Sequence, residues 1–136
     1  MDVILITGPP CGGKTEYVLR NKNPEDLVID ADLIAQALGS ESTHDHPGHI
    51  KALAARVRDL VTQAAVRGDY RAWVVSASPS AEETILHSDS ICVDPGIDVC
   101  LSRLGSRPHW TRQAIIDWYE KRKPYLRKKT AATRAW

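Results

Sequence analysis

The sequence predicts an α/β fold in which a short parallel sheet is covered by helices on both faces. Four short apolar segments are typical of buried strands, and segments with helical periodicity separate them. A glycine-rich run follows the first strand directly and leads into a helix. Strands that alternate with helices favour a parallel sheet. The length of 136 residues fits one domain, which we expect to span residues 1–136.

The predicted strands are short and are bounded by turn-forming or polar residues. They comprise residues 3–7, 27–30, 72–76 and 91–93. The first helix follows the glycine-rich run and ends before Pro24, because the residue before a proline is pushed out of the helical region. The other predicted helices comprise residues 33–38, about 50–67, 81–87 (with Ser80 as N-cap), 97–104 and about 112–122, and a basic tail spans about residues 124–136.

The helix over residues 50–67 is predicted to be amphipathic. Its apolar side chains recur at helical spacing, so we expect them to face the sheet together. They are Leu53, Val57, Leu60, Val61 and Ala64. The helix over residues 112–122 also has apolar spacing, and there Ile115, Trp118 and Tyr119 favour core packing over stacking on nucleic-acid bases.

Charge is distributed unevenly along a chain whose net charge is only +1. From Leu101 onwards there are ten Lys or Arg against two acidic residues, so this part carries +8 and the first hundred residues carry −7. This division favours a basic face for phosphate or nucleic acid. Three cysteines without paired spacing indicate free thiols and a reducing, cytoplasmic setting, and no segment approaches the ~18 apolar residues that a membrane span needs.

The glycine-rich run after the first strand fits the phosphate-binding pattern G-x-x-x-x-G-K-[ST]. Backbone N–H groups of such a loop and of the following helix N-terminus point at an anion. Lys14 is expected to reach the β- and γ-phosphates of ATP, and the Thr15 hydroxyl is expected to hold Mg²⁺. The predicted nucleotide-binding residues are Gly8, Pro9, Pro10, Cys11, Gly12, Gly13, Lys14 and Thr15.

Two carboxylates, Asp30 and Asp32, stand at the end of the second predicted strand. In an open α/β sheet ligands bind beyond the carboxyl ends of the strands, so both should face the same crevice as the phosphate loop. A carboxylate there can accept the proton of an attacking hydroxyl or help to hold Mg²⁺. We slightly favour Asp32 as proton acceptor and Asp30 as the metal ligand beside Thr15. The alternative is that Asp32 only caps the helix predicted over residues 33–38.

Three segments together resemble one group of enzymes: residues 8–15, residues 28–32, and residues 99–107 with the sequence Val-Cys-Leu-Ser-Arg-Leu-Gly-Ser-Arg. The chain resembles the small P-loop kinases grouped around the 5′-hydroxyl polynucleotide kinase domain, with shikimate and gluconate kinases and zeta toxins as more distant relatives. The resemblance implies a three-layer P-loop kinase fold with about four parallel strands in the order 2-3-1-4. It also implies that Arg103 and Arg107 belong to a lid that clamps phosphates.

One segment departs from that pattern and another is unusual. The third predicted strand ends in serines rather than in the Asp that often holds Mg²⁺, which leaves Asp30 or water as the second metal ligand. Residues 43–49 contain His44, His46 and His49 with one Asp. This loop is open to three interpretations: a metal site, an acceptor-binding loop or a plain surface loop. As an acceptor-binding loop it would contribute His44 or His46, together with Asp32.

Two classes of function follow. In the first, the chain is an ATP-dependent kinase in which Lys14, Arg103 and Arg107 stabilise charge while Asp32 or Asp30 orients the acceptor hydroxyl. A nucleic-acid acceptor (a 5′-hydroxyl end or a hydroxymethylated base in DNA) is favoured by the basic last third of the chain, and a nucleoside, nucleotide or small metabolite is the alternative. In the second class, the chain is an ATP-binding regulator or weak ATPase without an acceptor, which the missing third-strand Asp favours.

Overall fold

The computed structural model describes residues 2–76 and 89–126. Within these ranges the chain forms strands β1 (Asp2–Thr7), β2 (Leu27–Ile29), β3 (Arg71–Val75) and β4 (Asp89–Cys92). The helices of the same ranges are α1 (Lys14–Asn21), α2 (Ala31–Ala37), α3 (Gly48–Arg67), α4 (Ile97–Ser102) and α5 (Thr111–Leu126). The helix predicted over residues 81–87 and the tail beyond residue 126 lie outside the described residues.

The four strands form one parallel sheet in the order β2-β3-β1-β4, which confirms the predicted order. β1 lies between β3 and β4, with Leu5 opposite Val74 on one side and opposite Ser90 on the other. β2 pairs with the outer side of β3. Because all pairs are parallel, every strand ends at the same edge of the sheet, and the loops that follow β1, β2 and β4 meet there.

Side chains of β1 alternate between the two faces of the sheet, as the two-residue period of a strand requires. Val3 and Leu5 join one buried cluster, which includes Ala65 of α3 and is contacted by Ile34 of α2. Ile4 and Ile6 join a second cluster on the opposite face, which includes Val18 of α1. Helices therefore cover both faces, and the molecule has the three layers expected for this fold class.

The prediction of the apolar face of α3 is wrong, because the buried positions are shifted by about one residue along the helix. The buried positions are Ala54 and Ala65, with Val61 packed against the core, whereas Leu53 and Leu60 are 47% and 68% exposed. Ala64 is exposed as well. Small alanines allow a helix backbone to lie close to its neighbours, and α3 packs against both α2 and the sheet. The exposed leucines lie on the side of the helix that is turned away from these contacts.

Several element boundaries also differ from the predictions. α2 begins at Ala31 rather than at residue 33, because Asp30 caps it. α4 ends at Ser102, and Gly105 has a left-handed φ of 48°, so a helix cannot continue through the arginine segment. α5 continues past Pro124 to Leu126. Of the helices in the described ranges, none combines the length and the apolar character needed to cross a membrane.

Candidate nucleotide and acceptor site

The phosphate loop turns sharply between β1 and α1. Its backbone takes positive φ angles at Cys11 (60°) and Gly13 (90°), and the Gly12 N–H donates to the Pro9 carbonyl at 3.0 Å. A Cβ atom added to Gly8 would collide with the Val93 carbonyl oxygen, so a glycine is required where the loop passes the end of β4. The first backbone N–H groups of α1 have no acceptor within the helix and face the loop, which makes this end of the helix suited to an anion.

Lys14 lies inside this loop and is held by its backbone. Its Nζ atom donates hydrogen bonds to the carbonyl oxygens of Gly8 (3.0 Å) and Pro9 (2.9 Å). Burial lowers the pKa of Lys14 to about 8, Asp30 opposes this shift, and the nearby positive charge of Arg107 adds to it. Asp32 also raises the pKa of Lys14, so Asp30, Asp32 and Arg107 are all near enough to Lys14 to influence its charge. The structure thus brings together four residues that the sequence had separated by up to 93 positions.

Asp30 connects the end of β2 to the phosphate loop. One of its oxygens, Oδ2, accepts a hydrogen bond of 2.9 Å from the Thr15 hydroxyl. The other, Oδ1, accepts the Asp32 backbone N–H at 2.9 Å and thereby caps α2. The interpretation of Asp32 as the helix cap is therefore wrong, since Asp30 is the N-cap residue. The Thr15 hydroxyl and the Asp30 carboxylate, the two side chains predicted to hold Mg²⁺, are in direct contact.

Asp32 lies in the first turn of α2, and two histidines contact its carboxylate. His44 Nδ1 is 3.2 Å from Asp32 Oδ2, and His46 Nε2 is 2.8 Å from Asp32 Oδ1. The side chain of His46 is only 5% exposed and that of His44 is 32% exposed, whereas the Asp32 side chain remains 45% exposed. The histidine loop therefore closes on the candidate base, and the carboxylate is still open to a ligand.

Serines give the histidine loop its shape. Ser40 Oγ lies 2.7 Å from His46 Nδ1, on the opposite side of the ring from Asp32. Ser42 Oγ accepts backbone hydrogen bonds from His44 (3.3 Å) and Asp45 (2.9 Å). Sequence reasoning missed both serines, because a serine in a polar loop carries no signal until the loop conformation is known.

Arg103 and Arg107 follow α4 in a series of turns, not in a continued helix. The Arg103 guanidinium donates to the Cys11 carbonyl oxygen of the phosphate loop at 3.2 Å. The Arg107 backbone N–H donates to the Leu104 carbonyl at 2.9 Å, which folds this segment back. Between residues 42–45 and residues 103–108 lies a cleft of about 480 Å³, which the two arginines and His44 line.

A buried polar cluster fixes α4 beside the phosphate loop. Asp94, two residues after the end of β4, accepts hydrogen bonds from the Gly96 N–H (3.0 Å) and from the Tyr119 hydroxyl of α5. Burial raises the pKa of Tyr119, and so does its bond to Asp94, so the phenol stays protonated. Ile115 and Trp118 are buried beside it, which confirms that they pack in the core. The cluster was not recognised from the sequence, because it joins the segment between β4 and α4 to α5, 25 residues further along the chain.

The donor set at Thr15 and Asp30 suits Mg²⁺. One hydroxyl and one carboxylate are typical of a magnesium site that takes its remaining ligands from water and from phosphate oxygens. In the part of the chain that the structure describes, no group of three His, Cys, Asp or Glu side chains is arranged to hold a metal by itself. The two histidines lie against Asp32, beyond the Thr15–Asp30 pair.

Comparisons with known proteins agree with this architecture. No protein-family model and no curated protein matches the sequence. Among solved structures, the chain is similar to one in the Pnkp1/Rnl/Hen1 RNA repair complex, with a TM-score of 0.68 and 13% identity over 94% of this chain and 46% of the other. It is also similar to shikimate kinase from Acinetobacter baumannii in complex with shikimate, with a TM-score of 0.58 and 14% identity over 98% of this chain and 82% of the other.

The chain spans about half the length of the first of these structures and most of the second. At such low identity the likeness concerns the fold. The glycine-rich loop after β1 and the helices on both faces were predicted from the residues themselves, and the parallel sheet order β2-β3-β1-β4 was predicted from the resemblance. The chain therefore has the fold of the P-loop kinases.

Proposed function

We propose that this protein is an ATP-dependent phosphotransferase that moves the γ-phosphate to a hydroxyl group. The observation that carries the proposal is the 2.9 Å bond between Thr15 and Asp30, because it holds the end of β2 against the phosphate loop. Asp32 stands two residues further on and is near enough to Lys14 to raise its pKa, and in the proposed site it would face the terminal phosphate. Its half-exposed carboxylate contacts His44, which lines the cleft between residues 42–45 and residues 103–108.

In the proposed reaction the acceptor oxygen attacks the γ-phosphorus, and its proton passes to the Asp32 carboxylate. The new oxygen–phosphorus bond forms as the bond to the bridging oxygen breaks, and ADP leaves with that bonding pair. Lys14, Arg103 and Arg107 stabilise the charge on the phosphate oxygens; in support, Lys14 and Arg103 both bond carbonyl groups of the phosphate loop, and Arg107 is near enough to lower the pKa of Lys14. Thr15 and Asp30 would hold Mg²⁺, which supplies further charge neutralisation when bound.

A nucleic-acid 5′-hydroxyl is the acceptor that we favour. The cleft is lined by Arg103, Arg107 and the His44 ring that contacts Asp32, and residues 101–136 carry +8, which suits a polymer with backbone phosphates. The solved structure of an RNA repair complex that has this fold supports the same class. A small hydroxyl metabolite is the second candidate, favoured by a cleft of only about 480 Å³.

The test is transfer of label from γ-labelled ATP to a panel of acceptors: 5′-hydroxyl DNA and RNA, hydroxymethyl-base DNA, nucleosides, nucleotides and small hydroxy acids. We expect label on a 5′-hydroxyl polynucleotide, with binding that weakens steeply as salt is raised. Label only on a small acceptor would replace the polymer with the second candidate. ATP binding without label on any acceptor would favour a nucleotide-binding regulator or weak ATPase.

Asp32→Asn tests the role of the carboxylate in that assay. We expect transfer to fall by roughly a hundredfold or more, because the amide cannot accept the proton, while ATP affinity stays near that of the wild type. Asp59→Asn is the matched control, since Asp59 lies exposed on α3 with a side chain that is 70% accessible. Full activity in Asp32→Asn would remove this residue from the mechanism.

A further inference from the structure

Both oxygens of the Asp32 carboxylate face a histidine, and the two histidines use different ring nitrogens. His44 approaches Oδ2 through Nδ1, and His46 approaches Oδ1 through Nε2. A carboxylate that contacts two rings at 3.2 Å and 2.8 Å is fixed in both its rotamer and its tilt. An exposed aspartate on the first turn of a helix would otherwise be free to choose among rotamers.

The environment of each ring assigns its proton. Ser40 Oγ has two acceptors within reach: His46 Nδ1 at 2.7 Å and the Ser42 carbonyl oxygen at the longer distance of 3.4 Å. The shorter contact is the stronger hydrogen bond, so the Ser40 hydroxyl donates to the His46 ring. His46 Nδ1 is then an acceptor, and Nε2 carries the proton that is donated to Asp32. His44 in turn donates from Nδ1, which leaves its Nε2 atom directed away from Asp32 on a ring that lines the cleft.

The loop is built so that both rings reach the carboxylate. Its first residue is anchored to α2 by the bond from the Ser40 N–H to the Ala35 carbonyl at 3.0 Å. Its middle is shaped by the Ser42 hydroxyl, which accepts the N–H groups of His44 and Asp45. The loop is therefore tied to the same helix that carries Asp32, and the three side chains keep their relation as one unit.

We propose that His44 and His46 are positioning residues: their donated hydrogen bonds hold the Asp32 carboxylate at the angle needed to accept the proton of the acceptor hydroxyl. This inference rests on the proposed transferase function. Each carboxylate oxygen has a second lone pair, so two histidine bonds leave Asp32 able to accept a proton. Accordingly, His44 and His46 affect the turnover rate through Asp32, and ATP binding at the phosphate loop does not depend on them.

Amide substitutions separate this role from a general effect on folding. A glutamine amide nitrogen is four bonds from Cα, as Nε2 is, and an asparagine amide nitrogen is three bonds from Cα, as Nδ1 is. His46→Gln and His44→Asn therefore keep the bond to Asp32, whereas His46→Asn and His44→Gln lose it. Activity should therefore be kept by Gln at position 46 and by Asn at position 44. A change of side-chain size or a loss of charge would not produce opposite preferences at the two positions.

We expect kcat to fall by roughly tenfold in His46→Asn and in His44→Gln, since each loses one hydrogen bond to a charged group, with KM for ATP unchanged. His46→Gln and His44→Asn should stay within about threefold of the wild type. The matched control is the same pair of changes at His49, which is exposed in the first turn of α3. Equal kcat values for the Asn and Gln variants at each position would overturn the proposal.

A second measurement does not depend on turnover. Long-range ¹H–¹⁵N spectra of the wild-type protein report which ring nitrogen carries the proton, and we expect Nδ1–H at His44 and Nε2–H at His46. The opposite tautomer at either residue would overturn the assignment, whether or not an acceptor has been found. A wild-type protein that transfers no phosphate but has both expected tautomers would refute the proposed function and the catalytic role of the histidines, and leave the assigned hydrogen bonds standing.

Discussion

Asp30 and Asp32 lie two residues apart, yet their surroundings divide two tasks between them. Asp30 is buried, and both of its oxygens are engaged with Thr15 and with the start of α2. Asp32 is half-exposed and is contacted by two histidines. The sequence predicted that both would meet the phosphate loop, but it did not separate their roles, because those depend on a helix cap and on a loop conformation.

Lys14 provides a prediction at this scale. Its pKa of about 8 means that close to half of the lysines are neutral at pH 8 in the free protein. Bound phosphates favour the ammonium form, so we expect ATP binding at pH 8 to take up roughly half a proton, and ATP affinity to fall as the pH rises further. Calorimetric titrations in buffers of different ionisation enthalpy measure this uptake.

Lys14→Met is the control for that titration. The variant keeps a buried apolar side chain but has no amine to protonate, so the uptake near pH 8 should disappear along with most of the affinity. At pH 6.5 the wild-type lysine is already protonated, and little uptake is expected there. Heats that do not depend on the buffer at pH 8 would contradict the assignment of this proton to Lys14.

At the scale of the elements, the strands were predictable because short apolar segments and their flanking turns carry strong local signals, whereas the order of the sheet was expected only from the resemblance to the small P-loop kinases. The buried face of α3 was not predictable in this way. Its pattern of leucines indicated one side, but the contact with α2 and the sheet selects small residues, so Ala54 and Ala65 are buried instead. Two features around the site were missed: Ser40 acts within a loop whose conformation the sequence does not reveal, and the Asp94–Tyr119 pair joins residues that are 25 positions apart in the chain.

Tyr119→Phe tests how α4 and α5 are fixed beside the phosphate loop. The change removes a hydroxyl that donates to buried Asp94, and Asp94 keeps the Gly96 N–H as a donor. We expect the free energy of unfolding to fall by about 1–3 kcal/mol in urea titrations. Tyr70→Phe, at a residue that is 56% exposed, is the matched control and should be nearly neutral. Equal stabilities for the two variants would mean that the Asp94 bond contributes nothing.

Across the whole molecule, the site connects three parts of the sheet edge: the loop after β1, the start of α2 after β2, and α4 after β4. A ligand held by all three should stabilise the fold as a unit, because it binds the folded chain and not the unfolded one. With Mg²⁺–ATP at a hundred times its Kd we expect about 2.7 kcal/mol of added stability.

Calorimetric melting with and without Mg²⁺–ATP measures this linkage. Lys14→Ala should unfold at nearly the same temperature in both conditions, since the triphosphate loses its buried cation. Arg20→Ala is the control, because Arg20 lies on the exposed side of α1 and pairs with Glu16 at 3.9 Å; it should keep the wild-type shift. A wild-type Tm that does not respond to the nucleotide would contradict the predicted ATP site.

The two bonds of Asp30 have a consequence for the sequence of events in a catalytic cycle. Asp30 Oδ2, which accepts the Thr15 hydroxyl, is the oxygen that would hold a cation beside Thr15, and Oδ1 of the same carboxylate caps the helix on which Asp32 stands. We therefore expect nucleotide binding to alter the first turn of α2, which carries Asp32, before the acceptor binds. We expect substrates to add in a preferred order, with the nucleotide first, and each to sharpen the affinity for the other.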